Sequence, residues 1–110
     1  MLIERSKYNI NDIISFKLIN GDEIVGRLVK QDGESYEINK PCVVLTSPEG
    51  IGVLQAMFGL DPERDNLFYR DQHIVSMCPT HDKLREHYTR VLEDGEERDS
   101  FIDTTSVSSQ

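Results

Sequence analysis

The chain has 110 residues, with 20 Asp+Glu against 12 Lys+Arg and a formal net charge of −8. That length has room for one domain with a single small core, and the acidic balance excludes a generally basic surface that would grip phosphates anywhere. The excess is uneven, because residues 93–103 hold six acids and one base and so carry −5 of the −8. Two cysteines, Cys42 and Cys78, fall short of a disulfide framework and have no CxxC spacing for zinc. The expectation for both is a small buried hydrophobe in a reducing cytosol. Met1-Leu2-Ile3 runs straight into Glu4 and Arg5 without the pattern of a secretory signal, and no apolar run reaches the ~18 residues of a membrane span. A cytosolic protein that does not enter a membrane is expected.

Residues 1–12 are mixed and polar and predict a short helical turn or an extended lead-in. The stretch from Ile13 to Asp32 organises the rest. Ile14, Phe16 and Leu18 alternate with Ser15, Lys17 and Ile19, a period of two that predicts a strand with one buried face. Asn20-Gly21 follows, a hairpin signal because a two-residue turn needs positive φ at both central positions. Ile24, Gly26 and Leu28 carry the apolar face up a second strand. A strand glycine adds no packing, so Gly26 predicts a sharp bend or the close approach of another backbone. The hairpin therefore belongs to a small, strongly curved sheet.

Asp32-Gly33 marks a turn before a third strand over Ser35 to Thr46, where Tyr36 and Ile38 alternate and Val43-Val44-Leu45 is apolar. Pro41 interrupts it and marks an edge, a bulge or a bend, since proline cannot donate to a ladder. Ser47-Pro48-Glu49-Gly50 reads as a β-turn. Ile51 to Met57 predicts a returning strand and Asp61 to Asn66 a polar loop. Leu67–Arg70 and Ile74–Met77 make the last two strands around Asp71-Gln72. Pro79-Thr80 then opens a helix, with Thr80 as N-cap and Leu84, Tyr88, Val91 and Leu92 on one face. Gly95 stops the helix, and the acidic, Ser/Thr-rich segment 96–110 is expected to be disordered.

No catalytic constellation stands out. His73, His81 and His87 lack metal-site spacing, and neither cysteine pairs with a motif histidine as a nucleophile would. There is no Gly-rich phosphate loop and no paired-carboxylate motif. The expectation is a non-enzyme with no cofactor and no metal.

The series Leu18-x-Asn20-Gly21, Ile24-x-Gly26-x-Leu28 and Asp32 resembles the first motif of the Sm-like RNA-binding proteins (the LSm/Hfq type). Leu67 to Met77 resembles the second motif, with Asp71 where that family usually has glycine. The likeness covers roughly Ile13 to Met77 and is similar also to bacteriophage-encoded members, which the long insertion suits. It implies a mainly β fold: a small, strongly bent, five-stranded antiparallel open barrel over 1–78. A long insertion at about 47–66 separates strands 3 and 4, and a C-terminal helix spans 79–95.

The resemblance further implies a homo-oligomeric ring of five to seven subunits, in which the fourth strand of one subunit pairs with the fifth of the next. Its pore would hold single-stranded RNA. Carried over by position, Asp32 and Arg70 are retained. The stacking position is occupied by Glu34, which repels phosphates, and the asparagine position by Tyr36, which can stack on a base. Asp32, Tyr36, Arg70 and His73 form the candidate RNA-binding set. The competing reading is a ring scaffold for protein partners that has lost RNA binding, favoured by Glu34 and the charge of −8.

Overall fold

The first hairpin is built as its apolar alternation demands, but its turn is not the two-residue kind. In the computed structural model, which describes residues 8–57, 59 and 63–93, β1 (Ile13–Leu18) and β2 (Glu23–Gln31) pair antiparallel from Ile13 opposite Arg27 to Lys17 opposite Glu23. Only Gly21 of the Asn20-Gly21 pair has positive φ, at 98°. The Gly21 amide donates to the Leu18 carbonyl at 2.8 Å, and the Leu18 amide donates to the Asp22 carbonyl at 2.8 Å. This is a three-residue loop closed by a left-handed glycine, the alternative solution that also matches strand twist. The Asn20 side chain supports it by accepting from the Asp22 amide at 2.9 Å.

β3 (Ser35–Ser47) is 13 residues long, and along the edge away from β2 it pairs with two different strands in turn. Its first half pairs with β5 (Asn66–Arg70), from Ser35 opposite Arg70 to Asn39 opposite Asn66. Its second half pairs with β4 (Gly50–Gln55), from Ser47 opposite Gly50 back to Cys42 opposite Gln55. The division falls at Lys40-Pro41, where β3 carries an extra residue against β2: Val25 faces Cys42, yet Arg27 already faces Asn39. Gly26 lies opposite that bulge. A Cβ there would fall against Cγ2 of Ile38 and come within 3.3 Å of both the Asn39 carbonyl oxygen and Cα of Pro41. Glycine is needed for close approach, as the sequence suggested, and Pro41 sits where the missing donor costs least. Lys40 takes a left-handed φ of 49° to make the corner.

The strand order is β4-β3-β2-β1-β6, with β5 also on β3 and β6 (Ile74–Pro79) on the far side of β1. The result is mainly β, an open, bent antiparallel sheet with one C-terminal helix. It has six strands: the five of the barrel, and β4, the expected returning strand, which pairs with the far half of β3 as a hairpin. The hairpin begins within β3 at Cys42, ahead of the expected start at 47.

Burial follows the two faces of this bent sheet. Ile14, Phe16, Ile24, Leu28, Tyr36 and Ile38 fill the concave interior. Ile13, Val25, Cys42 and Val53 face the other way and are covered by Tyr88. α1 (Asp82–Tyr88) continues into a π-helical segment (Thr89–Glu93), and the expected apolar stripe of Leu84, Tyr88, Val91 and Leu92 does point inward. Thr80 is not the cap. It is buried, sharing a 2.8 Å hydrogen bond with the Ser15 hydroxyl, and the cap is His81, whose Nδ1 accepts from the Lys83 amide at 3.1 Å. The threonine hydroxyl is drawn inward because an unpaired Ser15 hydroxyl would be costly to bury. Cys42 is buried, and burial pushes its thiol up to about 12. Cys78, expected inside, is exposed, because β6 is an edge strand. The segments 1–7 and 96–110, for which a lead-in and a disordered tail were expected, lie outside the described residues, as does the helix stop at Gly95.

Candidate nucleic-acid interface

The candidate residues sit on two adjacent loops at one end of the barrel. Asp32 and Gly33 open the β2–β3 turn, and the Asp32 carboxylate organises it. Its Oδ1 accepts from the amides of Glu34 and Ser35, each at 3.0 Å. Those two amides hold the Asp32 carboxyl below the usual carboxylate range, since each favours the ionised form. Asp32 is thus a positioning residue for its own loop.

The second loop is the short 3-10 turn Asp71–His73 between β5 and β6. It is tied to the first by the Asp71 amide, which donates to the Glu34 carbonyl at 2.8 Å, directly beyond the Ser35–Arg70 pair. The backbone therefore brings Asp32, Glu34, Arg70 and Asp71 to one rim. Arg70 and His73 are both exposed there, as is Glu34. The His73 carbonyl also accepts from the Ile19 amide at 2.9 Å, which anchors this loop to the first hairpin as well.

Tyr36 is where the structure departs from the expected set. Its residue is only 8% exposed and belongs to the interior cluster with Phe16 and Ile38. The ring offers no free face to a base, because its position in β3 alternates inward with Ile38. Only the hydroxyl reaches the rim, 3.5 Å from Oδ1 of Asp71. Tyr36 props the second loop rather than extending the surface. Sequence reasoning missed Asp71 in this linking role.

No group of three or more His, Cys, Asp or Glu able to hold a metal occurs among the described residues. None of the helices they form is long and apolar enough to cross a membrane.

The outer edges of β5 and β6 complete the picture. These strands follow one another in sequence but do not pair, so the barrel is open between them. Tyr69 and Ile74 turn into the interior, with Tyr69 edge-on to Phe16 at a ring-centroid distance of 4.9 Å. Phe68 and Val75 consequently turn outward, 66% and 61% exposed. Among the described residues, each of these strands pairs on one side only and carries an exposed apolar side chain.

The fold and this rim define a small open β-barrel with a polar loop surface and, among the described residues, edge strands β4, β5 and β6. Among solved structures the chain is similar to a heptameric archaeal Sm protein, at 15% identity over 66% of this chain and 90% of that one, with a TM-score of 0.46. No protein-family model matches the chain, and no curated protein matches it.

Proposed function

We propose that this protein assembles into a closed homo-oligomeric ring of five to seven subunits that binds single-stranded RNA at the rim formed by residues 32–35 and 70–73, without catalysing a reaction. The observation that carries the ring is the pair of free edges. An open edge is a liability unless something covers it, and β5 of one copy can pair with β6 of the next. Phe68 and Val75 then meet on the same outer face, and the exposed apolar area is removed from water.

RNA binding follows from what symmetry does to Arg70. One exposed arginine per subunit around a common axis makes a ring of guanidinium groups on an otherwise acidic protein. Such groups contact phosphates or stack on bases, with His73 beside them on the same turn. Asp32 and Tyr36 hold the two loops in place. Binding is expected to be weak, confined to short single strands and strongly salt-dependent.

The scaffold reading keeps one specific observation in its favour, the exposed Glu34 on the same rim. Two measurements decide. Native mass spectrometry should show at least five subunits, and Phe68→Asp should reduce the species to monomers without unfolding them, because the residue is exposed in the single subunit. Titration of oligo-U and oligo-A at two salt concentrations should show binding whose affinity and salt slope both fall in Arg70→Ala. A monomeric unmodified protein defeats the ring. An intact ring that binds neither strand at low salt leaves the protein-scaffold reading in its place.

A further inference from the structure

A second polar cleft lies away from the 32–35 and 70–73 loops, between the C-terminal helix and the start of β1. It is an open depression of about 770 Å³, and Arg27, Arg85 and Arg90 all line it. Three of the chain's 12 Lys+Arg residues therefore share one cleft on a protein of net charge −8. All three are arginines, whose planar forks suit the paired oxygens of a phosphate better than the point charge of lysine.

Ordinary structural roles account for part of this. Arg27 donates from Nη1 to the Asn11 carbonyl at 2.6 Å and so fastens the residues before β1 to β2. Arg85 donates from Nη2 to Asp82 at 2.8 Å, an exposed i,i+3 pair of the kind that adds little stability. Neither contact accounts for Arg90, and both steady a guanidinium beside the cleft.

The rest of the lining narrows the ligand. Asp12 and Glu86 also face the cleft, so its formal charge is +1 rather than +3. That balance disfavours a dense polyanion and supplies acceptors for amino or hydroxyl groups. Ile13 and Pro79 add apolar surface, and Thr89 adds a hydroxyl. The space far exceeds what one inorganic phosphate needs and falls within the range of small-molecule sites, roughly 300–1,000 Å³. A phosphate for the arginines, amino or hydroxyl groups for the two acids and a body of small-molecule size together describe a nucleotide.

We propose that this cleft binds a nucleotide, with Arg85 and Arg90 taking the phosphate and Asp12 or Glu86 accepting from the base or sugar. The phosphate can belong to a free nucleotide or to one in an RNA strand. The site does not depend on RNA contact at Arg70, which is no part of its lining.

The test uses the full chain and three probes: AMP, inorganic phosphate and a short oligo-A, followed by calorimetry and by NMR of the arginine Nε–H groups. AMP or oligo-A should bind saturably, in the low-millimolar range or tighter. The double variant Arg85→Gln/Arg90→Gln should weaken that binding about tenfold or more, as the loss of charge-assisted bonds implies. Binding of AMP and oligo-A is read in the Arg70→Ala background as well, where the contribution of the rim is removed and only the cleft, whose lining lacks Arg70, remains, so failure of the rim reading and failure of this one are separable. Should the glutamine pair disturb the helix, Arg85→Lys/Arg90→Lys keeps the charge without the fork and should weaken binding less. Binding of AMP assigns the site to free nucleotides, whereas arginine-dependent binding of oligo-A alone assigns it to a strand. The proposal is overturned if neither binds, if binding ignores both double variants, or if inorganic phosphate binds as tightly as AMP.

Discussion

Replacing Tyr88 by phenylalanine removes one oxygen atom and leaves the ring, its burial and its neighbours in place. That oxygen lies 2.9 Å from the carbonyl of Asn39 and 2.9 Å from that of Lys40, the two residues at the corner of β3. The corner is a demanding piece of backbone. Lys40 is left-handed at φ 49°, a conformation that costs a non-glycine residue about 1–2 kcal/mol, and the adjoining Pro41 cannot donate. Tyr88 is fully buried, so the Asn39 carbonyl loses this donor in a place with little access to water, while the Lys40 carbonyl keeps the weaker Cys42 thiol at 3.6 Å. A net hydrogen bond is worth about 1 kcal/mol, but a buried acceptor left unsatisfied costs about 1–3 kcal/mol. A destabilisation near 2 kcal/mol is therefore expected. With an unfolding entropy of about 2.1 cal/mol/K per residue, a chain of 110 residues should lose about 9 °C in Tm. Thermal unfolding followed by circular dichroism, at one fixed protein concentration so that assembly does not shift the midpoint, measures it. A fall of less than about 2 °C would refute the idea that the helix locks the corner, and would leave the bend to Gly26 and Pro41 alone.

Gly26→Ala should destabilise by about 1–3 kcal/mol through overpacking against Ile38 and the β3 corner, read as a lower denaturation midpoint in urea with unchanged slope. His87 has a buried Nε2 without a hydrogen-bond partner, and burial followed by the nearby Arg90 charge lowers its pKa. Its neutral form is the folded one, so stability should be full above the unfolded value of about 6.5 and fall as pH drops below it. In His87→Leu that part of the pH dependence should vanish, and an unaltered profile would exclude His87 as its source. Asp32 has a depressed pKa, so its contribution is present above the ordinary carboxylate value and lost as pH falls through the lower folded one. Carboxyl NMR should place its midpoint below the ordinary aspartate range, and Asp32→Ala should loosen amide protection at Glu34 and Ser35.

Local signals in the sequence carried most of the strand layout. The alternation of Ile14, Phe16 and Leu18, the position of Gly26 and the break at Pro41 are short-range facts, and each has a single structural consequence that survives in the folded chain. The helix face was equally legible, because Leu84, Tyr88, Val91 and Leu92 recur at a helical period. What required the tertiary structure was every choice between two locally acceptable states. Asn20-Gly21 suits either of two turns, and pairing between Lys17 and Glu23 selected the longer loop. Thr80 is a good cap in isolation, yet the buried Ser15 hydroxyl claimed it and left the helix end to His81.

The rim divides in the same way. Asp32 and Arg70 occupy their positions by sequence register alone. Whether an aromatic ring at position 36 faces solvent or core depends on which face of β3 is enclosed, and that is settled only when β2 and β5 close around it. The arginine cleft could not be read from the chain at all. Arg27 and Arg90 are 63 positions apart, and only the docking of the C-terminal helix through Tyr88 places them at the same cavity. Periodicity and turn chemistry act over a few residues and were determined by the sequence. The meeting of distant charges is a property of packing, and packing decided it.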